Sequence, residues 1–289
     1  MLVGGINGQE RYLSITEPLL YEDNIFQPGL TYTNKYEAAD ASAAQVYTPG
    51  AGADVSVSNT VGDYSAELAT DSLQTIVYNN YFRKQKKFYN AQGMAVPYDM
   101  GATQLDIVMK QIQEAEVQAG VGCLVNESTK YSDTNPITLA NIQQVTLDMI
   151  AEMRNKNANP NTVVCSWGIY NTIQMIAKDV FTGDIKNEMA TTGKLVGGKW
   201  LGLTWIPTST FEKTSVKYVD STGTLKTVNL KGECDMVMYD LDAFSILGKT
   251  TDLRIVDQLE GAPAASAQSE IVLGFKVTNP ARALRHSLT

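Results

Sequence analysis

The sequence predicts an α+β protein. Three observations carry this. Apolar residues recur at helical spacing in three segments between residues 102 and 179. The chain beyond residue 199 breaks into short runs rich in strand formers, separated by turn residues. The first 70 residues hold too few apolar side chains to build a core of their own.

In chain order, residues 1–30 come first. MLVGGINGQE is glycine-rich without periodicity, and Pro18 and Pro28 interrupt the apolar run that follows. This reads as an extended arm that gains order by packing on something else. In residues 31–70, Tyr32, Tyr36 and Val46 punctuate a run of Ala, Ser, Thr, Asp and Gly. Pro49-Gly50-Ala51-Gly52 marks a turn, and Val55 and Val57 alternate beyond it, predicting a long hairpin. A lone hairpin is marginal in water, so it is expected to rest on another subunit, with Tyr47 among the contacts. Ile76, Val77, Tyr78, Tyr81 and Phe82 then suit a strand. The densest basic cluster follows at Arg83, Lys84, Lys86 and Lys87, bracketed by Phe82, Phe88 and Tyr89. Interleaved basic and aromatic residues can bind nucleic acid. The other reading is a charged strand that faces solvent or the acidic surface of a partner.

Leu105, Val108, Met109 and Ile112 open the first helix, which continues through Ala115 and Ala119. Thr103 with Asp106 gives an N-terminal capping pattern, and Gly120 and Gly122 are expected to end it after about five turns. A second helix is expected from Thr138, with Ile142, Val145, Met149, Ile150 and Met153 on one face. NTVVCS reads as a buried strand. A third helix is expected from Ser166, gathering Ile169, Tyr170, Ile173 and Ile176. Helix, strand, helix in this order suggests an α/β subdomain.

MATTGKLVGGKWLGLTWIP, residues 189–207, poses the question of a phosphate-binding loop. Gly193-Lys194 supplies the terminal Gly-Lys step, but Leu195 stands where a hydroxyl should hold a metal ion, and Glu188 replaces the first glycine. The glycines are instead expected to let the backbone turn into the strand LTWIP, with Lys194 and Lys199 facing neighbours or solvent. KYVDSTGTLKTVNL then reads as a hairpin turning at Asp220–Gly223. CDMVMYDLDAFSIL, LRIVDQL and EIVLGFKVTNPARAL read as further strands.

Composition bounds the function. A chain of 289 residues with 44% apolar residues can bury a sizeable core, and 31 acidic against 23 basic residues give a formal charge of −8. That balance argues against a dedicated nucleic-acid binder, which carries a basic footprint. Cys123, Cys165 and Cys234 are odd in number and unpaired in sequence, predicting buried apolar thiols and a reducing compartment. No signal peptide or membrane-length apolar run is visible. The single histidine, His286, lies near the C-terminus and is expected at the surface. Asp133, Asp184, Asp240 and Asp242 show no spacing that singles out a catalytic pair. Neither a cofactor nor a metal site is expected, and the chain does not read as an enzyme.

The order of these elements resembles tailed-bacteriophage major capsid proteins of the Hong Kong ninety-seven-type fold. ATQLDIVMKQIQEAEVQA resembles the family's long spine helix. TLANIQQVTLDMIAEM, NTVVCSWGIYNTIQMIAKD, LVGGKWLGLTWIPTST and ECDMVMYDLDAFSI follow the course of its axial domain. EIVLGFKVTNPARALRH, with Gly274, Val277, Pro280 and Ala281, resembles its closing segment. The resemblance implies an N-terminal arm over 1–30, an extended hairpin loop over 31–84, a peripheral domain over 85–136 and 250–289, and an axial domain over 137–249. It implies pentamers and hexamers of this chain closing into an icosahedral shell, the virion capsid, assembled in the host bacterial cytoplasm. Portal and decoration proteins are the implied partners, with only weak nonspecific contact to packaged double-stranded DNA. No helical assembly segment precedes the arm, which implies a separate scaffolding protein or a form already trimmed, and Met1 favours the first. Some relatives crosslink a loop lysine to a neighbour's asparagine. Lys35 is the one lysine in the first half of this loop, but no motif fixes its partner, so only a contact with a neighbouring subunit is expected of it. The readings that stay open beside this one are an encapsulin-type compartment shell and a soluble α/β enzyme.

Overall fold

The structure is a computed structural model and describes residues 2–4, 10–12, 24–32, 35–37, 43–48, 72–77, 79–89, 100–180, 198–249, 253–256 and 264–288. The N-terminal strands are β1 (Leu2–Gly4), β2 (Glu10–Tyr12), β3 (Lys35–Glu37), β4 (Ala43–Thr48), β5 (Ser72–Val77) and β6 (Asn80–Tyr89). The middle holds α1 (Met100–Glu127), β7 (Thr129–Lys130), α2 (Ile142–Asn155), β8 (Thr162–Cys165) and α3 (Trp167–Val180). Then come β9 (Lys199–Trp200), β10 (Leu203–Pro207), β11 (Ser215–Val219), β12 (Leu225–Asn229) and β13 (Cys234–Tyr239). The last strands are β14 (Phe244–Lys249), β15 (Leu253–Val256), β16 (Ala264–Val277) and β17 (Ala283–Ser287).

A six-stranded sheet, ordered β7-β17-β13-β8-β10-β9, divides two cores. Its central strand β8 is parallel to β10 and antiparallel to β13. All four residues of β8 are buried, as expected for a strand covered on both faces. Val163, Cys165, Leu203, Trp205, Met236 and Met238 point to one side, where they meet Ile142, Met149 and Met153 of α2 and Ile169 and Ile173 of α3. Val164, Ile206, Val237 and Tyr239 point to the other, joining the C-terminal half of α1, the β11–β12 hairpin and Phe244. Each such side chain contributes roughly 1.5–3 kcal/mol on full burial.

The second sheet is built on β16. β6 pairs along one edge, from Ala264↔Tyr89 to Leu273↔Asn80. The other edge is shared by β15 and β14, and β3 lies parallel to β14. Val108 and Ile112 of α1 pack on Ala267 of β16, with Phe82 of β6 at the margin.

Several expectations hold locally. The hairpin turn at 220–223 is closed by the Asp220 carboxylate, which accepts from the Thr222 and Thr224 amides at 2.9 and 3.0 Å. Ser166 Oγ accepts from the Ile169 amide at 3.3 Å at the start of α3. The glycine-rich stretch does turn: Leu201 and Gly202 hold φ of 52° and 79° between β9 and β10. Both central residues at positive φ is the arrangement that matches the twist of two antiparallel strands.

Others need correction. α1 does not end at Gly120 and Gly122 but runs 28 residues to Glu127. These glycines are places of close approach. A Cβ at Gly120 would strike the Phe26 ring, and one at Gly122 would sit 2.9 Å from Val216 Cγ2. α2 begins at Ile142 rather than Thr138, because Asn141 Oδ1 accepts from the Thr138 amide at 2.6 Å and closes a turn ahead of the helix. The expected arm contains the antiparallel pair β1–β2, and Ile25, Phe26 and Tyr32 are buried in this chain's own core. The paired hairpin strands are β4 and β5, and the turn expected at Pro49–Gly52 lies outside the described residues. The sheets also cross the expected boundaries. β17 returns to pair with β13, β14 leaves it to pair with β16, and β3 joins β14.

Candidate functional site

The basic cluster lies on β6, an edge strand whose one partner among the described residues is β16. Side chains alternate along it. Phe82 packs into the α1 core, so Lys84, Lys86 and Phe88 share its side of the sheet. Arg83, Gln85 and Lys87 point to the other side, away from the helix. There Arg83 Nε meets Glu270 Oε1 at 2.7 Å, and its guanidinium carbon lies 5.3 Å from the centre of the Tyr81 ring. Arg254 of β15 donates from Nε to Gln268 Oε1 at 3.0 Å. Gln268 and Gln85 both donate to Ser266 Oγ, at 3.2 and 3.1 Å. The outcome is a polar face with three cations, Arg83, Lys87 and Arg254, and one carboxylate, Glu270. A recess of about 410 Å³ opens between Arg83, Gln85, Arg254, Gln268 and Glu270.

The β4–β5 ribbon is rooted on this same face. Ile76 is buried against Leu247, with Ala44 and Val272 beside them. Gly274 permits the contact, since a methyl there would strike the Val77 carbonyl oxygen. Tyr47 pairs in register with Leu73 on the ribbon. Lys35 is placed by its backbone on β3, opposite Ile246, and so belongs to the second sheet rather than to the hairpin. Lys199 is exposed on β9, the outermost strand of the six-stranded sheet. Lys194 lies outside the described residues. Arg83 and Lys87 thus share one face of the second sheet, Lys84 and Lys86 lie on its other side, and Lys199 is on a different sheet.

The groups with chemical potential sit elsewhere. His286 is not at the surface: it is fully buried in β17, between β13 and β7, with its ring centre 6.3 Å from that of Tyr131. Burial holds its imidazole pKa below 6.5, although Asp235 and Asp133 pull the other way. The three cysteines are free and buried. Burial pushes the Cys234 thiol up to about 12, and that of Cys165 higher still. Thiolate is the nucleophilic form, so these behave as small apolar residues. Asp240, 6% exposed at its side chain, meets Arg282 Nη2 at 2.5 Å where the chain passes between the two sheets. No helix among the described residues is long and apolar enough to cross a membrane.

No protein family and no curated protein matches the sequence. Solved structures match its fold from end to end. Against the capsid structure of the cyanophage P-SCSP1u the TM-score is 0.65 at 10% identity, over 98% of this chain and 96% of that one. Against the mature capsid of bacteriophage PhiM1 it is 0.59 at 12% identity, over 96% and 92%. Against a chain of Mycobacterium phage Che8 it is 0.58 at 14% identity, over 95% and 98%. The chain has a phage-capsid fold.

A phage-capsid fold is a mixed helix-and-sheet architecture, as the α+β reading expects. Sequence reasoning found the cations of β6 but missed Arg254 and Glu270, which join them only through pairing with β16, where Glu270 meets Arg83 across 187 residues of chain. No local pattern announces either.

Proposed function

We propose that this chain is a major capsid protein that self-assembles into the icosahedral shell enclosing the double-stranded DNA of a tailed bacteriophage. One observation carries the reading: the match to the cyanophage capsid structure spans 98% of this chain and 96% of that one, so the likeness takes in nearly the whole of both chains. The role is structural and not enzymatic. Lys35, Tyr47, the β6 cations, Lys194 and Lys199 belong to contacts between copies in pentamers and hexamers. Scaffolding, portal and decoration proteins are its further partners. DNA is touched weakly and nonspecifically, in keeping with the net charge of −8. The site of action is the virion capsid, and assembly takes place in the host cytoplasm.

Electron microscopy and sedimentation of the purified chain over a range of concentrations test this. Shells, tubes or capsomers are expected. A monomer that persists at high concentration overturns the reading. Deleting residues 2–20 spares Ile25 and Phe26, which belong to the chain's own core. That variant is expected to fold yet fail to close shells. The variant Lys199→Glu should alter capsomer assembly without lowering monomer stability.

A further inference from the structure

The charge of this chain is not spread evenly. From Tyr36 to Phe82 the sequence holds six acidic residues, Glu37, Asp40, Asp54, Asp63, Glu67 and Asp71, and no basic residue. That stretch therefore carries −6 of the chain's −8. The next five residues, Arg83-Lys84-Gln85-Lys86-Lys87, hold four cations. An acidic segment and a basic strand are thus adjacent in sequence and opposite in sign.

The structure adds where the cations stand. Arg83, Lys87 and Arg254 line the open face of the second sheet, with Glu270 as the one carboxylate among them. Among the described residues no ion pair joins Lys84, Lys86 or Lys87. The side chains of Arg83 and Glu270 keep 66% and 42% of their surface exposed, so this face is open among the described residues. A cluster of like charges left open raises the free energy of the lone subunit and is relieved by a complementary surface.

We propose that this basic face is the docking surface for the acidic segment 54–71 of a second copy of the chain. Asp54, Asp63, Glu67 and Asp71 would face Arg83, Lys87 and Arg254. The contact is heterologous: one patch meets a different patch on the next copy, so it propagates around a ring or shell. It is also sensitive to salt, because exposed pairs are screened over about 8–10 Å at physiological ionic strength. Nucleic acid is the less favoured occupant. It would have to compete with an acidic segment that the same chain supplies in equal number at the site of assembly.

The inference rests on the capsid reading and is tested in assembled particles. Particles grown from an equal mixture of nitrogen-14 and nitrogen-15 chains are treated with a zero-length carbodiimide. Cross-links between Lys87 and Asp63, Glu67 or Asp71 are expected, with mixed-isotope pairs among them. Cross-links within single chains only, or none, overturn the proposal. In parallel, the double variant Lys87→Glu/Arg254→Glu should raise the concentration needed for assembly about tenfold or more. Adding Asp63→Lys/Glu67→Lys/Asp71→Lys to that chain should restore assembly. Unchanged assembly of the first variant, or failure of the charge swap to rescue, overturns the proposal. So does loss of binding to a short DNA duplex in the double variant while assembly stays intact. Wild-type chain that never assembles overturns both readings, whereas shells without these cross-links overturn only this one.

Discussion

The six-stranded sheet and the β4–β5 ribbon are made of the same kind of strand, but they are stabilised differently. The sheet is covered on both faces, and Val163, Val164, Met236, Val237 and Met238 are all fully buried. Among the described side chains of the ribbon, only Ile76 is fully buried, against Leu247. Ordering each strand residue costs about 1–2 kcal/mol of backbone entropy, and one buried isoleucine returns about 1.5–3 kcal/mol. The sheet supplies its own stability. The ribbon has a foothold and needs a second surface.

The two regions differ most at Phe244. Its ring is fully buried, centred 5.5 Å from Phe26, 6.2 Å from Tyr239 and 6.4 Å from Phe275. Phe244→Ala should cost about 3–5 kcal/mol in denaturant unfolding. Ile76→Ala, on the ribbon, should cost the free subunit about 1 kcal/mol or less. That is below the usual range for a buried isoleucine, because the ribbon can detach without unfolding the rest. Its effect should appear in shell yield instead. Equal losses of subunit stability from the two substitutions would abolish the distinction drawn here.

Asp240 is next in size. It accepts from Arg282 and from the Asp242 amide, at the point where β13 hands the chain to β14. Asp240→Ala should cost about 2–3 kcal/mol, somewhat under the range for a wholly buried pair because Arg282 keeps part of its side chain in water. Thermal unfolding of the variant, beside that of Arg282→Ala, measures it.

These sites differ in how far the sequence reveals them. The stripe of Ile142, Val145, Met149 and Met153 is legible because helical periodicity is local, and TVVC is legible because a strand buried on both faces reads as an unbroken apolar run. Gly120 and Gly122 mislead, since glycine marks both a helix end and a tight contact, and only the position of Phe26 and Val216 separates the two. His286 misleads for a related reason. Nearness to the C-terminus suggests fraying, yet β17 is held between two strands by pairings that sequence position does not disclose. Likewise, the cations of β6 are plain to see, while Arg254 and Glu270 become their neighbours through pairing with β16.

Gly274→Ala acts on the ribbon alone. The added methyl meets a backbone oxygen, that of Val77, and not the yielding end of a side chain. Overpacking of this kind costs about 1–3 kcal/mol, here borne by the foothold of β5. Protease should cut more readily between residues 49 and 71, while the midpoint of global unfolding moves little. A large global shift instead would mean that the ribbon is part of the main cooperative unit.

The smallest effect is a pH dependence confined to the six-stranded sheet. His286 has a folded pKa below 6.5, with burial as the main cause. Between 6.5 and that folded value the unfolded chain binds the proton and the folded chain resists it. Stability is therefore full above pH 6.5 and falls as the pH drops, by at most about 1.4 kcal/mol for each unit separating the two values. Asp235, whose pKa burial raises, acts with the opposite sign in the window just above its ordinary 3.8. His286→Gln should flatten the slope between pH 6.5 and 5 and leave the carboxylate's contribution in place. If the wild type and His286→Gln lose stability in parallel over that window, the acid sensitivity lies outside this sheet.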